Sequence, residues 1–112
     1  MMEHRLQAHT LRTLLNVQFN NMDSQIHNDG DVNSLVSVVY HVAGTDGDTV
    51  FYNSANEEIK RVPFNMGQAI IFPSHIYHMG LPPKSGIRVT LGSIYDVADQ
   101  QVAQDTTLRL VA

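Results

Sequence analysis

The chain has 112 residues, 43% of them hydrophobic and 16% charged, with a formal net charge of −4 and no cysteine. This length suits a single domain over 1–112 with a modest core, and the acidic balance argues against a nucleic-acid surface working by bulk electrostatics. Disulfides, zinc ribbons and thiol catalysis are excluded; no apolar run spans a membrane or forms a signal core behind Met1-Met2-Glu3-His4-Arg5, so a cytoplasmic protein without membrane attachment is expected.

Period-two alternation dominates the chain. Residues 11–19 (LRTLLNVQF) read as a first strand, and 35–42 (LVSVVYHV), β-branched and aromatic, as a second. Residues 49–52 form a short strand behind Gly44-Thr45-Asp46-Gly47-Asp48, whose Asp-Gly step is a hairpin signal. A polar strand is expected over 57–63. Residues 68–72 (QAIIF), bounded by Gly67 and Pro73, read as a buried strand, and 87–94 (IRVTLGSI) as the last core strand. The tail is expected to hold a short polar helix over 97–104 and a terminal strand over 107–111. Roughly six to eight short strands with little helix mean a β-sandwich or barrel.

The chemistry sits in His27-Asn28-Asp29, in the distal His78, and in Arg88 and Thr90 beyond it. His27 and Asp29, two apart at a strand end, can present an imidazole and a carboxylate to one metal. With a second imidazole from another strand they can form a 2-His-1-carboxylate facial triad, which leaves open positions on non-heme Fe(II). Arg88 offers a planar, permanently charged fork for a carboxylate, and Thr90, two further on, a hydroxyl on the same face. On the strand 35–42, Ser37, Val39 and His41 share one face and Val36, Val38, Tyr40 and Val42 the other; the first, more polar face is the expected cavity wall. An H-x-D triplet alone is weak. In a chain with six His it arises by chance with odds on the order of one in three. The joint order of His27, Asp29, His78 and Arg88 gives it weight.

Taken together, these residues resemble the catalytic core of the 2-oxoglutarate- and Fe(II)-dependent dioxygenases, in particular the prolyl 4-hydroxylase-like branch. The resemblance runs from about residue 12 to 96. It is carried by Leu15 to Asn21 ahead of Gln25-Ile26-His27-Asn28-Asp29, by the hydrophobic strand 36–42, and by Gly47-Asp48-Thr49-Val50-Phe51-Tyr52, with Asp48 where Glu is usual. The stretch from Gly67 to His78 and then Gly86-Ile87-Arg88-Val89-Thr90-Leu91 complete it. It implies an all-β, cupin-like double-stranded β-helix, or jelly roll. It also implies iron ligands His27, Asp29 and His78, with His75 the weaker candidate, and a 2-oxoglutarate anchor at Arg88 assisted by Thr90. The second co-substrate contact is open between Tyr40 and His41.

The implied reaction hydroxylates a prolyl residue, another amino-acid residue or a small metabolite. It consumes O2 and 2-oxoglutarate and yields succinate and CO2, with ascorbate as an optional reductant. Family members usually carry a helical region ahead of the core, and almost nothing precedes the first strand here, so a minimal version, a truncated reading frame or a partner that supplies the missing cover is expected. A homodimer covering the exposed sheet is therefore expected. The alternative is a jelly-roll binding or structural module that turns nothing over; a third reading is another metal enzyme on the same fold, which Arg88 and Thr90 disfavour.

Overall fold

A computed structural model describes residues 8–97 and 109–111. It contains eight strands: β1 (Ala8–Phe19), β2 (Leu35–Gly44), β3 (Thr49–Tyr52), β4 (Glu58–Val62), β5 (Ala69–Pro73), β6 (Tyr77–Gly80), β7 (Ile87–Val97) and β8 (Arg109–Val111). They form two antiparallel sheets, a five-stranded one in the order β1-β7-β2-β5-β8 and a three-stranded one in the order β4-β3-β6. No helix occurs among the described residues, and none is long and apolar enough to cross a membrane. The fold is all-β and antiparallel.

The alternation in the sequence becomes the two faces of the large sheet. On β2, Ser37 and His41 are buried and Val39 packs into the inter-sheet core, while Tyr40 on the opposite face is exposed. Phe51 of β3, Val62 of β4, and Ile70 and Phe72 of β5 form that core, joined by Val39 and Ile76. The rings of Phe51 and Phe72 meet edge-on, 5.0 Å between centroids. Burying each such side chain is worth about 1.5–3 kcal/mol, and together they hold the small sheet on the large one.

The outer face of the large sheet is different. Alternation and register place Leu15, Leu91 and Tyr40 in one row across β1, β7 and β2, with Phe19 beside Ile87 in another. Leu15, Phe19, Ile87 and Tyr40 are exposed. No charged residue of β1, β2, β5 or β7 points to this side in the described register.

Two expectations change. The Asp46-Gly47 step does not make a hairpin, because β2 and β3 lie in different sheets and the segment between them crosses from one to the other. The hairpin is β3–β4, where the Asn53 carboxamide oxygen accepts from the N–H groups of Ala55 and Glu57 at 2.9 and 3.0 Å. The expected strand over 57–63 is thus its second arm. The second change is β6: Tyr-His-Met-Gly is too short and too poor in β-branched residues to announce a strand, yet it pairs with β3. Of the expected helix over 97–104, Val97 ends β7 and the remainder lies outside the described residues; of the terminal strand, residues 109–111 form β8.

Candidate metal centre

His27 lies in the segment between β1 and β2 and pairs with His78 of β6 as an isolated antiparallel bridge. Each backbone N–H donates to the other residue's carbonyl, at 3.0 and 2.8 Å. This reciprocal pairing sets the two imidazoles side by side, 4.4 Å between centroids. Two residues on, the backbone N–H of Asp29 donates to the carbonyl of Ser74 at 2.9 Å, which turns its carboxylate back toward both rings. Asp29 Oδ1 lies 3.8 Å from His27 Nε2, and Oδ2 lies 3.6 Å from His78 Nε2. One donor atom from each residue falls within 4.8 Å of the others.

The orientation of the rings is fixed from behind. His27 Nδ1–H donates to the carbonyl of Gln25 at 2.9 Å, and His78 Nδ1–H to that of Ile76 at 3.0 Å. Each Nε2 then presents a lone pair toward Asp29, the arrangement in which histidine binds metals. Burial pushes the His78 imidazole below its ordinary pKa, and the His27 ring adds to this; the hydrogen bond to Ile76 and the Asp29 carboxylate oppose it. Its neutral, ligating form is thereby favoured. A metal with bonds of about 2.1 Å would need these donors to draw closer together. Two imidazoles and one carboxylate, without thiolate, suit a borderline-to-hard divalent ion such as Fe(II) or Mn(II). The residues present fit the group the sequence implied.

The triad lines a cavity of about 430 Å³, together with Thr49, Arg88 and Thr90. Arg88 is almost wholly buried, at 3% exposure. Its Nε donates to the carbonyl of Gly47 at 2.9 Å, Nη1 to Gln18 Oε1 at 2.6 Å and Nη2 to Thr49 Oγ1 at 2.9 Å. All three partners are neutral, and no carboxylate forms an ion pair with Arg88 among the described residues. Burial pushes the guanidinium from its ordinary value down to about 10, against a weak pull from Asp48.

Two glycines make room for this cation. A Cβ on Gly47, whose φ is +115°, would lie 2.5 Å from Arg88 Cδ; one on Gly80 would lie 2.9 Å from Nη1. So the glycine of the Asp-Gly step serves the packing of Arg88 rather than a hairpin.

The structure separates the two candidates on β2. Tyr40 points to the outer face, away from the cavity. His41 points inward beside Thr90, its register partner, and is fully buried, but it does not line the cavity. Its Nδ1 lies 3.0 Å from the Asn65 carbonyl oxygen and 3.2 Å from the Asn65 nitrogen, and its ring stacks on Phe64 at 4.4 Å. Its Nε2 has no hydrogen-bond partner. Burial, aided by the charge of Arg88, lowers its pKa, with the Asn65 hydrogen bond opposing. His75 is exposed and lies outside the cavity wall.

Three contributors were not singled out as site residues in the sequence. Gln18 and Thr49 hold Arg88, and Ser74 holds Asp29 through its carbonyl. Only an inward position on a strand marked Gln18 and Thr49, and nothing local marked Ser74. No protein-family model matches the chain, and no curated protein matches it.

Proposed function

We propose that the chain is an Fe(II)- and 2-oxoglutarate-dependent oxygenase on a double-stranded β-helix. The observation that carries this reading is the buried, anion-free guanidinium of Arg88 in the same cavity as the His27, Asp29 and His78 donors. A structural cation would be expected to have its carboxylate partner built in. One whose hydrogen bonds all go to neutral groups is suited to a ligand that brings the negative charge. The repeated crossing of the chain between the two sheets (β2 to β3, β4 to β5, β5 to β6 and β6 to β7), and the His27 bridge that extends the small sheet beyond β6, support the jelly-roll assignment.

The bound metal and co-substrate would supply oxidative decarboxylation of 2-oxoglutarate to succinate and CO2, coupled to hydroxylation of the substrate. The residues of the chain do the rest. His27, Asp29 and His78 would hold the ion from one side and leave the cavity side open. Arg88, assisted by Thr90, would fix the far carboxylate of the co-substrate and so orient its 2-oxo acid end toward the triad. The apolar inter-sheet core beneath His78 keeps water from that side; Phe72 meets its ring edge-on at 4.7 Å. The substrate is a peptide residue or small molecule entering from the exposed His27 side.

The test is an anaerobic titration with Fe(II) and then 2-oxoglutarate, read by the metal-to-co-substrate charge-transfer absorption. A band in the wild type that is lost in His78→Ala is expected. Its absence with Fe(II) bound would favour the binding-module reading. We further propose that a second copy covers the outer face of the large sheet. That face presents the exposed Leu15, Phe19, Ile87 and Tyr40 on β1, β7 and β2, and a stable interface needs roughly 800 Å² per partner.

A further inference from the structure

We propose that Ser37 and Ser74 form a buried hydroxyl relay that restricts Asp29 to binding the metal through one oxygen. They act as positioning residues for the open coordination sites. The inference rests on the metal-centre reading above and names the device that sets its geometry.

Ser37 Oγ lies 2.6 Å from Asp29 Oδ2, and Ser37 Oγ lies 2.7 Å from Ser74 Oγ. Ser37 is 1% exposed and Ser74 0%, so water does not compete. An ionised carboxylate can only accept. Ser37 must therefore donate to Oδ2, and the remaining hydroxyl hydrogen, on Ser74, must donate to Ser37. The direction of the chain is thus determined: Ser74 O–H to Ser37 O–H to Asp29 Oδ2. Such a chain polarises its members, and the terminal bond to a charged oxygen is the strong one.

The backbone closes the loop. The N–H of Asp29 donates to the Ser74 carbonyl at 2.9 Å, and the N–H of Ser74 donates to the Leu35 carbonyl at 3.1 Å. Ser37 stands on β2 and Ser74 directly follows β5, its neighbour in the large sheet. Asp29 is therefore tied by both its backbone and its side chain to the sheet that carries Arg88 and Thr90. Oδ1 receives no hydrogen bond from the described residues and keeps its lone pairs for the metal.

The consequence concerns coordination number. A carboxylate that chelated through both oxygens would occupy one of the positions a bidentate 2-oxo acid and dioxygen require. With Oδ2 engaged by Ser37, the protein would supply three donors to a bound ion and leave its remaining positions open. Removing the hydroxyl would free Oδ2 to bind the ion as well.

The experiment uses Mn(II) alone. Its affinity and its number of bound waters are both read by water-proton relaxation, in wild type, Ser37→Ala, Ser37→Thr, Ser74→Ala and His78→Ala. Each variant is first checked for cooperative thermal unfolding. Ser37→Ala is expected to bind Mn(II) roughly 10–100-fold more weakly and to lose about one bound water. Ser37→Thr, which keeps the donor, restores the water count. Ser74→Ala, in which Ser37 can still donate to Asp29, is expected to lose affinity only severalfold with the water count unchanged, and it decides the question should Ser37→Ala fail to fold. Wild-type affinity and water count in Ser37→Ala, or wild-type affinity in Ser74→Ala, would overturn the relay while leaving the metal centre standing. A wild type that binds no Mn(II), or binds it equally well as His78→Ala, would overturn the metal reading and the relay with it.

Discussion

Replacing Arg88 by methionine removes the charge from the cavity while keeping much of the side-chain volume. In the folded protein the guanidinium is pushed from its ordinary value down to about 10 by burial among neutral partners. At about 1.4 kcal/mol for each factor of ten, that is about 3 kcal/mol of desolvation left over after the weak pull of Asp48. A carboxylate bound opposite Arg88 would recover part of it, so the most the charge can contribute to co-substrate affinity by this route is roughly two orders of magnitude. Arg88→Met is expected to weaken 2-oxoglutarate binding by up to about 100-fold. Arg88→Lys is expected to fall between, since an ammonium cannot reproduce the fork that engages Gly47, Gln18 and Thr49 together. The assay is anaerobic calorimetric titration of the Mn(II)-loaded protein with 2-oxoglutarate, with Mn(II) affinity measured in the same preparations. Unchanged 2-oxoglutarate affinity in Arg88→Met would refute the reasoning. So would an equal loss of Mn(II) affinity, because the effect would then lie in the scaffold and not at the co-substrate carboxylate.

Other outcomes follow from the same geometry. His27→Ala and His78→Ala should each abolish tight Mn(II) binding by equilibrium dialysis, while His75→Ala retains it; equal loss at His75 would displace the ligand assignment. Phe51→Ala, at a fully buried position against Phe72 and Val62, should cost about 3–5 kcal/mol in urea unfolding, and a loss under 1 kcal/mol would contradict the inter-sheet core. His41 has a folded-state pKa below 6.5, so as pH falls through 6.5 the unfolded chain takes up a proton that the folded one does not. Its contribution to stability is therefore present above that pH and lost below it. The drop in melting temperature between pH 7 and 5 should be smaller in His41→Phe, and an unchanged drop would show that His41 does not couple to folding. Sedimentation velocity should find a dimer that Leu15→Glu or Leu91→Glu dissociates, whereas a wild-type monomer would remove the second copy from the outer face.

Much of the fold was legible because strands declare themselves locally. Alternation over 11–19, 35–42 and 87–94 located β1, β2 and β7, and Gly67 and Pro73 bounded β5. That these segments are strands, and which residues of each share a face, follows from the pleat alone. His27 and Asp29 were legible for the same reason, being two apart in extended chain. So was the pairing of Arg88 with Thr90 on one face of β7.

Tertiary structure decided what periodicity cannot carry. Alternation does not say which sheet a strand joins, so Asp46-Gly47 read as a hairpin although β2 and β3 part there. Gly47 answers to Arg88, a residue 41 positions away. Tyr40 and His41 were equivalent as neighbours in sequence and became opposites once β2 had an inside and an outside. The distal histidine became a partner of His27 only when the short, undistinguished β6 paired with β3 and with His27 itself. Ser37 and Ser74, 37 residues apart, carry no signal in common. Only adjacent strands of one sheet bring their hydroxyls together beneath Asp29. Local chemistry thus determined which residues could form a site, while long-range strand pairing, which no window of sequence contains, determined which of them meet.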